Sequence, residues 1–336
     1  MLSKFTHSFI KKLLDTNIPI ITNYFKSDIS IVVDDVKGDF NYNIFLKLKW
    51  KILLSVFVND FFQKEKAIKF RRKIYKFNTF DISPHSMTEN EFLYYNFSKG
   101  ENLSRKNFIK LWKIVKKYFN ENSIKMGNII TSHFHLMSKC CVPILLRNNL
   151  KYYLCDIEPG KKFIDYNKKF LPYGDPSLAT GNSDKKKLFQ FYSGNPSQSS
   201  KMSHSFYDFL EGNISKEKLL QKIKKNLELL IYSGFPIYLR THEYNLIKHK
   251  HNLKEILIFI DKYIKKENLG IKKVKLSTIS ENLNKRHSAY IKKINITQNK
   301  LNIFCKKNKN SINIFYKKKI VDYINYKKIK NNYEII

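Results

Sequence analysis

Asp34, Asp35, His85 and Glu89 are residues of the types that bind metals or transfer protons, and all four follow short apolar segments. Asp34 and Asp35 directly follow the segment 29–33, and the other two come shortly after a second apolar segment. An apolar segment of this length that ends in polar residues predicts a buried parallel strand. Sites of α/β enzymes lie at the ends of such strands. The four residues therefore predict one site, although an acidic pair can also cap a helix and a single histidine can be structural.

Two later segments repeat the pattern of a strand followed by polar residues. His133 and His135 follow one apolar segment, and only one of them would point inward if the strand extends that far, because side chains alternate along a strand. Arg240 and His242 follow another. His242 has the intrinsic pKa of a proton donor near neutrality, or it could cap a helix. Arg240 could orient Asp34, or it could be a surface charge.

The elements that must position these residues alternate between strands and helices. Strands are predicted over residues 29–33, 52–58, 77–82, 124–131, 152–155, 235–239 and 274–279. Helices are predicted over residues 41–49, 62–75, 104–119, 138–148, 215–232 and 252–266, and a short helix is predicted near residue 280. At least five strand-then-helix units in succession favour a parallel sheet or barrel. After residue 286, three short alternating segments predict a small antiparallel sheet.

The segment 159–201 is long, polar and rich in Gly, Asn and Ser, and it contains Tyr173. Segments this long without regular structure are usually lids or binding loops. We therefore predict that 159–201 is a loop over the site. Tyr173 is a candidate sugar-stacking residue, although aromatic residues are abundant in this chain and most of them pack in the core.

The net charge of +35 would ordinarily indicate nucleic acid or an anionic surface. Only six of the 63 basic residues are Arg, however, and the Lys excess accompanies many Asn, Ile, Tyr and Phe, as expected of an AT-rich genome. Specific nucleic-acid surfaces more often use Arg, so no specific nucleic-acid partner is predicted. The four Cys lack metal-site spacing, and no apolar segment predicts a signal peptide or a transmembrane span. We expect a cytoplasmic protein.

Taken in order, the Asp34-Asp35 pair, the His85 segment, the Ser132-His-Phe-His135 segment and Arg240-Thr-His242 resemble the polysaccharide deacetylase superfamily, carbohydrate esterases of the nodulation-deacetylase type. The resemblance covers roughly residues 8–285. The segment from Ile18-Pro-Ile-Ile to the acidic pair is similar to that of members associated with surface-polysaccharide gene clusters.

This resemblance implies an α/β fold, an incomplete or distorted (β/α) barrel of the glycoside hydrolase/deacetylase type with a small C-terminal antiparallel β appendage. Residues 1–285 would form the deacetylase-like barrel, with a lead-in helix and the loop 159–201, and residues 286–336 a β-rich extension. The site would lie at the carboxyl ends of the strands.

In that family a divalent metal, most often zinc, is held by the second Asp of the pair and by two His spaced as His-x-x-x-His. The first Asp is the general base, and a late His is the general acid. The resemblance therefore implies that Asp35 and His85 bind the metal, that Asp34 is the base and that His242 is the acid.

The chain departs from the family pattern at Glu89, which stands where the second His is expected. A Glu oxygen can bind zinc, but its negative charge would raise the pKa of bound water relative to an imidazole. His133 or His135 could complete the site instead. We assign Glu89 and His135 to the metal as further ligands. His133, Arg240 and Tyr173 are assigned to the substrate.

The leading hypothesis is a metal-dependent hydrolase that removes an acetyl group from an N-acetylated sugar or glycan intermediate of surface polysaccharide synthesis. A second hypothesis, favoured by Glu89, is a catalytically inactive glycan-binding protein with the same fold. A third, supported only by charge, is a basic RNA-associated protein. The sequence does not predict the oligomeric state.

Overall fold

Parallel pairing of short apolar segments organises the chain. The computed structural model describes residues 20–23, 28–63, 65, 68, 78–96, 98–133, 137–155, 178–179, 188–192, 214–233, 237–266, 271–281, 290–297, 300–306, 312–316 and 319–322.

Thirteen strands lie within the described residues. They are β1 (Ile20–Asn23), β2 (Ile29–Val36), β3 (Ile52–Phe57), β4 (Phe80–Ser86), β5 (Ile129–Ile130), β6 (Tyr152–Cys155), β7 (Leu178–Ala179), β8 (Leu188–Tyr192), β9 (Ile237–His242), β10 (Tyr290–Thr297), β11 (Lys300–Lys306), β12 (Ile312–Tyr316) and β13 (Lys319–Asp322).

The helices alternate with the parallel strands, as the sequence predicts. They are α1 (Asn43–Lys47), α2 (Val58–Gln63), α3 (Arg105–Glu121), α4 (Val142–Arg147), α5 (Lys216–Ser233), α6 (Glu243–Lys248) and α7 (Lys250–Lys266). A 3₁₀ turn, Lys139–Cys141, precedes α4. The hydroxyl of Ser104 caps α3 by accepting a hydrogen bond from the amide of Asn107 at 3.2 Å.

Two four-stranded sheets form the barrel wall. One has the order β4-β3-β2-β9 and is entirely parallel, and the other has the order β5-β6-β8-β7, with β7 antiparallel. Between them, the amide of Gly127 donates a 2.7 Å hydrogen bond to the carbonyl of Ile82. A Cβ at Gly127 would lie 3.3 Å from that oxygen, so glycine permits the close approach. The strands of the described chain curve into an incomplete (β/α) barrel without closing it, and the predicted fold class is confirmed.

Side chains alternate between the two faces of this wall. The outward set, which includes Ile31, Val33 and Leu54, packs in the main core together with the apolar face of α3. The inward set forms a second, smaller cluster. Its members are Val32, Leu53, Ile129, Tyr152, Leu154, Leu276 and Ile279. Because both faces of the central strands are buried, these segments are apolar over most of their length.

A short helix over residues 276–281 fills the amino-terminal end of the barrel. Leu276 and Ile279 are almost fully buried and join the inward cluster. The prediction of a strand over 274–279 is therefore wrong, whereas the short helix predicted near residue 280 is confirmed and begins at residue 276. Only Lys273 bridges to Ile29, after which the chain turns into the helix and its apolar residues meet the barrel interior.

The segment 159–201, predicted as a loop, contains β7 and β8, and β8 is a parallel neighbour of β6. Antiparallel pairing of β10 with β11 and of β12 with β13 confirms the C-terminal β structure. β1 pairs with β12, so two distant parts of the chain share one sheet. The domain boundary at residue 285 remains a prediction, and the lead-in helix lies outside the described residues. Within the described part of the chain, no helix is long and apolar enough to cross a bilayer.

Candidate metal centre

Polar residues replace apolar ones on the inner face of the barrel as the strands approach their carboxyl ends. Along β2, Asp34 follows Val32 by two residues, and along β3, Ser55 follows Leu53. In β9 the register pairs Arg240 with Val32 and His242 with Asp34. Because residues two apart share a face, these side chains enter the barrel above the inward cluster, which forms its apolar plug. The sequence-predicted strand ends thus converge.

A β-bulge at the end of β2 brings two consecutive carboxylates to the same site. The pairing of β2 with β3 shifts between Val33 and Val36, and Asp35 has a φ of 55°. Consecutive residues of a regular strand point to opposite faces, and a bulge changes the direction of one of them. A left-handed conformation of this kind costs a non-glycine residue about 1–3 kcal/mol and is often found at functional sites.

Asp35, His85 and His133 form a group that could hold a metal ion. Oδ1 of Asp35 lies 3.2 Å from Nε2 of His85 and 3.2 Å from Nδ1 of His133. One ligand atom from each residue lies within 4.8 Å of the other two. Oδ1 of Asp35 is buried yet accepts no hydrogen bond within the described residues. One carboxylate and two imidazoles that converge in this way fit zinc or a similar divalent cation and leave a coordination position open.

A hydrogen bond to the main chain orients His85. Its Nδ1 lies 2.8 Å from the carbonyl oxygen of Thr131, which can only accept, so the proton is assigned to Nδ1 and Nε2 faces Asp35 with its lone pair. The hydroxyl of Thr131 donates to Oδ1 of Asp34 at 3.2 Å and forms a short hydrogen bond with Ser55. Neither hydroxyl residue was predicted from the sequence, although each lies two residues beyond an inward apolar residue.

Arg240 is directed at Asp34. Its Nε and Nη2 each lie 2.5 Å from Oδ2 of Asp34, and both residues are buried. Burial raises the pKa of Asp34, but the charges of Arg240 and His85 outweigh it and hold the pKa well below its usual range. We expected Arg240 to contact substrate. The structure supports the alternative that it orients Asp34.

The charges around Asp35 have a similar effect. Burial raises the pKa of Asp35, but its contacts with His133 and His85 lower it well below the usual range. For His85, burial lowers the pKa, while Asp34 and Asp35 raise it above its usual value. A cation and a proton therefore compete for Nε2 of His85, so metal binding will weaken at acidic pH.

His242 lies at the edge of the group. Its Nε2 is 3.6 Å from Oδ2 of Asp35, and its ring stacks on Tyr244 with centroids 5.3 Å apart. Burial lowers the pKa of His242 even though Asp35 and Asp34 act to raise it. His242 is therefore within reach of the proposed reaction centre without being one of the three converging ligands.

Aromatic rings cover the imidazoles. The ring of Phe57 lies 5.3 Å from that of His133 and 5.9 Å from that of His85, and Phe92 lies 5.6 Å from His133. Nζ of Lys37 is 5.6 Å from the centre of the Phe57 ring. This apolar wall was not predicted from the sequence, in which aromatic residues are common.

The structure does not bring Glu89 into the group. Its side chain is 65% exposed, and its Oε2 pairs with Nζ of Lys37 at 2.9 Å. The physical reason is a turn, in which the amides of Met87 and Thr88 donate to the carbonyl of Glu91. A His-x-x-x-Glu spacing brings two side chains together on a helix, and this segment is not helical. The third residue of the group is His133, which we had assigned to the substrate, and not Glu89.

Two assigned residues, His135 and Tyr173, lie outside the described residues. A cavity of about 730 Å³ lies at the amino-terminal end of the strands between Asn78, Gly127, Lys151 and Lys275. It shares no lining residue with the metal group and is not part of this site.

Comparison with solved structures adds to this geometry. A protein from Mycobacterium smegmatis assigned as a polysaccharide deacetylase is 10% identical, with a TM-score of 0.51 over 80% of this chain and 93% of that one. The chain has the fold of a polysaccharide deacetylase. This confirms the predicted resemblance at the level of the fold.

Two further solved structures have lower TM-scores. A family 4 carbohydrate esterase from Streptomyces lividans is 7% identical, with a TM-score of 0.41 over 74% of this chain and 92% of that one. A peptidoglycan N-acetylglucosamine deacetylase is 11% identical, with a TM-score of 0.44 over 81% and 95%. No protein-family model matches the chain, and no curated protein sequence matches it.

Proposed function

We propose that this polysaccharide deacetylase-like chain is a metal-dependent hydrolase that removes the acetyl group from an N-acetylated sugar. The observation that carries the proposal is the convergence of Asp35, His85 and His133 beside Asp34 and His242 at the carboxyl end of the barrel. The fold shared with the Mycobacterium smegmatis protein supports it. The substrate we propose is a glycan intermediate of surface polysaccharide synthesis.

Asp35, His85 and His133 would hold the cation, for which we propose zinc. When bound, a divalent cation polarises the amide carbonyl and makes water a nucleophile at neutral pH. The main-chain carbonyl of Thr131 keeps Nε2 of His85 directed at the cation position by accepting a hydrogen bond from Nδ1–H. Phe57 and Phe92 exclude water from the two imidazoles, which strengthens electrostatic interactions in the site.

Asp34 would take the proton of the attacking water. Arg240 and Thr131 fix its two oxygens, so the carboxylate is ionised and has one orientation. His242 would donate a proton to the sugar nitrogen as the C–N bond breaks, since an amine is a poor leaving group unless protonated. The position of His242 beside Asp35, on the strand next to β2, suits this role.

The alternative of an inactive glycan-binding protein was favoured by Glu89, because this residue stands where the family pattern has its second His ligand. With His133 beside Asp35 and Glu89 paired to Lys37, the reason for that alternative is weakened. The proposed ligands are one carboxylate and two imidazoles. A cation held in this way would lower the pKa of water more than a cation held by two carboxylates and one imidazole.

Metal content and acetate release test the proposal. Purified protein should bind one zinc or cobalt ion per chain and release acetate from N-acetylglucosamine oligomers. Substitution of a residue that only hydrogen-bonds to a metal ligand typically lowers metal affinity about 10- to 100-fold. The loss should be larger than this in each of the variants Asp35→Ala, His85→Ala and His133→Ala. Glu89→Gln should retain both properties. A wild-type protein that binds no divalent metal would exclude this function, and loss of metal in Glu89→Gln alone would exclude the ligand set.

A further inference from the structure

A buried carboxylate next to His242 binds the loop that follows the acidic pair. Glu243 is the first residue of α6 and is only 2% exposed. Its two oxygens accept hydrogen bonds from the amides of Lys37 at 2.6 Å, Gly38 at 3.1 and 3.2 Å and Phe40 at 3.2 Å, and from the hydroxyl of Tyr42 at 2.8 Å. One side chain therefore satisfies three main-chain amides more than 200 residues away along the chain.

The loop that Glu243 binds starts at Asp35. Asp35 and Gly38 both have positive φ values, 55° and 85°, and Val36 between them is fully buried against β3. Positive φ is unfavourable for Asp, and such a conformation persists only where surrounding contacts hold it. The three amides that converge on Glu243 are contacts of this kind, because they fix the chain immediately after Asp35.

Glu243 is also tied to the other side of the site. It follows His242 directly at the end of β9, and β9 pairs with β2 up to His242 and Asp34. His242 enters the barrel, and Glu243 turns toward the β2–α1 loop. The same carboxylate thus fixes the spacing between Asp35 on one strand end and His242 on the next.

We propose that Glu243 is a positioning residue of the metal centre, which sets the orientation of Asp35 and its distance from His242 without touching substrate or metal. This inference rests on the proposed function, because it assigns Glu243 to the same site. A carboxylate is required at this position because both of its oxygens only accept hydrogen bonds. An amide would direct an N–H group at main-chain N–H groups.

Metal binding by single variants tests the inference. In Glu243→Gln, which has the same shape, zinc affinity measured by calorimetry should fall about 10- to 100-fold, as for other outer partners of metal ligands. The absorption spectrum of the cobalt form should change, since Asp35 would no longer be held in one orientation. On N-acetylglucosamine oligomers, kcat should fall more than KM changes. Tyr42→Phe removes one of the hydrogen bonds and should give a smaller effect in the same direction.

Leu276→Ala is the matched control, because it destabilises the barrel at the end opposite to the metal group. Its zinc affinity and cobalt spectrum should equal those of the wild type. If Glu243→Gln does not fold, the zinc affinity of Tyr42→Phe is compared with that of Leu276→Ala instead. Wild-type zinc affinity in Glu243→Gln, or in Tyr42→Phe where that variant decides, would overturn the inference and leave the proposed function intact. Failure of the wild type to bind metal would instead exclude the proposed function.

Discussion

Arg240 binds Asp34 through two nitrogens, Nε and Nη2, each 2.5 Å from the same carboxylate oxygen. Both residues are buried, and they come from neighbouring strands, β9 and β2. The pair fixes the carboxylate that we assign as the base, and it also neutralises a charge inside the barrel.

Replacement of Arg240 by Ala should lower the free energy of unfolding by about 3–5 kcal/mol, because it leaves the charge of Asp34 buried without a partner. Arg240→Lys retains the positive charge but lacks two donors in one plane, so an intermediate loss is expected. Urea unfolding at pH 7 measures both. Wild-type stability in Arg240→Ala would mean that Asp34 finds another partner or is protonated.

The stability of the metal-free protein should fall as the pH drops below about 4. The pKa values of Asp34 and Asp35 are depressed in the folded protein, so the unfolded chain, with a carboxyl pKa of about 3.9, binds more protons in this range. The stabilisation is therefore present above pH 4 and is lost as the pH falls toward the folded values. Urea unfolding from pH 5 to pH 2 checks this.

Asp35→Asn provides the comparison for the pH series. It removes one of the two depressed carboxyl groups, so its unfolding free energy should depend less steeply on pH between 4 and 2. An identical slope in variant and wild type would contradict the assignment of a depressed pKa to Asp35.

Thr131→Val should separate the two roles of Thr131. The variant loses the hydroxyl that contacts Asp34 and Ser55, which should cost about 1–3 kcal/mol of unfolding free energy and reduce kcat. The main-chain carbonyl that orients His85 remains, so zinc affinity should change by less than about tenfold. Calorimetry and acetate release distinguish the two effects.

Ser132→Ala is the control for Thr131→Val. Ser132 is adjacent in the chain, and its hydroxyl forms a hydrogen bond with the hydroxyl of Tyr153, which belongs to the main core outside the barrel. This variant should lose stability and keep kcat. A loss of zinc affinity in Thr131→Val as large as that in His85→Ala would contradict the predicted role of the carbonyl.

The apolar plug of the barrel can be tested at Leu276. Leu276→Ala should lower the free energy of unfolding by about 2–5 kcal/mol, because this fully buried side chain fills the amino-terminal end of the barrel. Ile109→Ala, on the exposed face of α3, should change it by less than about 0.5 kcal/mol. Equal effects of the two substitutions would show that residues 276–281 do not support the barrel.

The position of the acidic pair and of His85 at the ends of buried strands could be predicted from the sequence, because each follows an apolar segment that is buried on both faces. The sequence could not predict that His133 and not Glu89 joins Asp35 and His85 in the group. The spacing from His85 to Glu89 matters only if the segment is helical, and the turn closed by Glu91 decides that. Whether His133 points inward depends on the register of β5, which is two residues long.

One element, β8, escaped prediction, and another, the short helix predicted near residue 280, was predicted only in part. β8 lies between polar segments, and its five residues were not separated from them. The helix over residues 276–281 has apolar residues whose spacing also suits a strand, and only the space at the end of the barrel favours the helix. Glu243 was overlooked because its partners are main-chain amides, which carry no sequence signal.

Pairing of β1 with β12 has a practical consequence for shortening the protein. A chain that stops at residue 285 would keep β1 but remove its antiparallel partner. The main-chain groups of Ile20–Asn23 that now bond to β12 would then form an unprotected sheet edge. Such edges recruit strands from other molecules. The shortened protein is therefore expected to self-associate even if its barrel folds, and removal of residues 1–27 together with the tail should restore a monodisperse preparation.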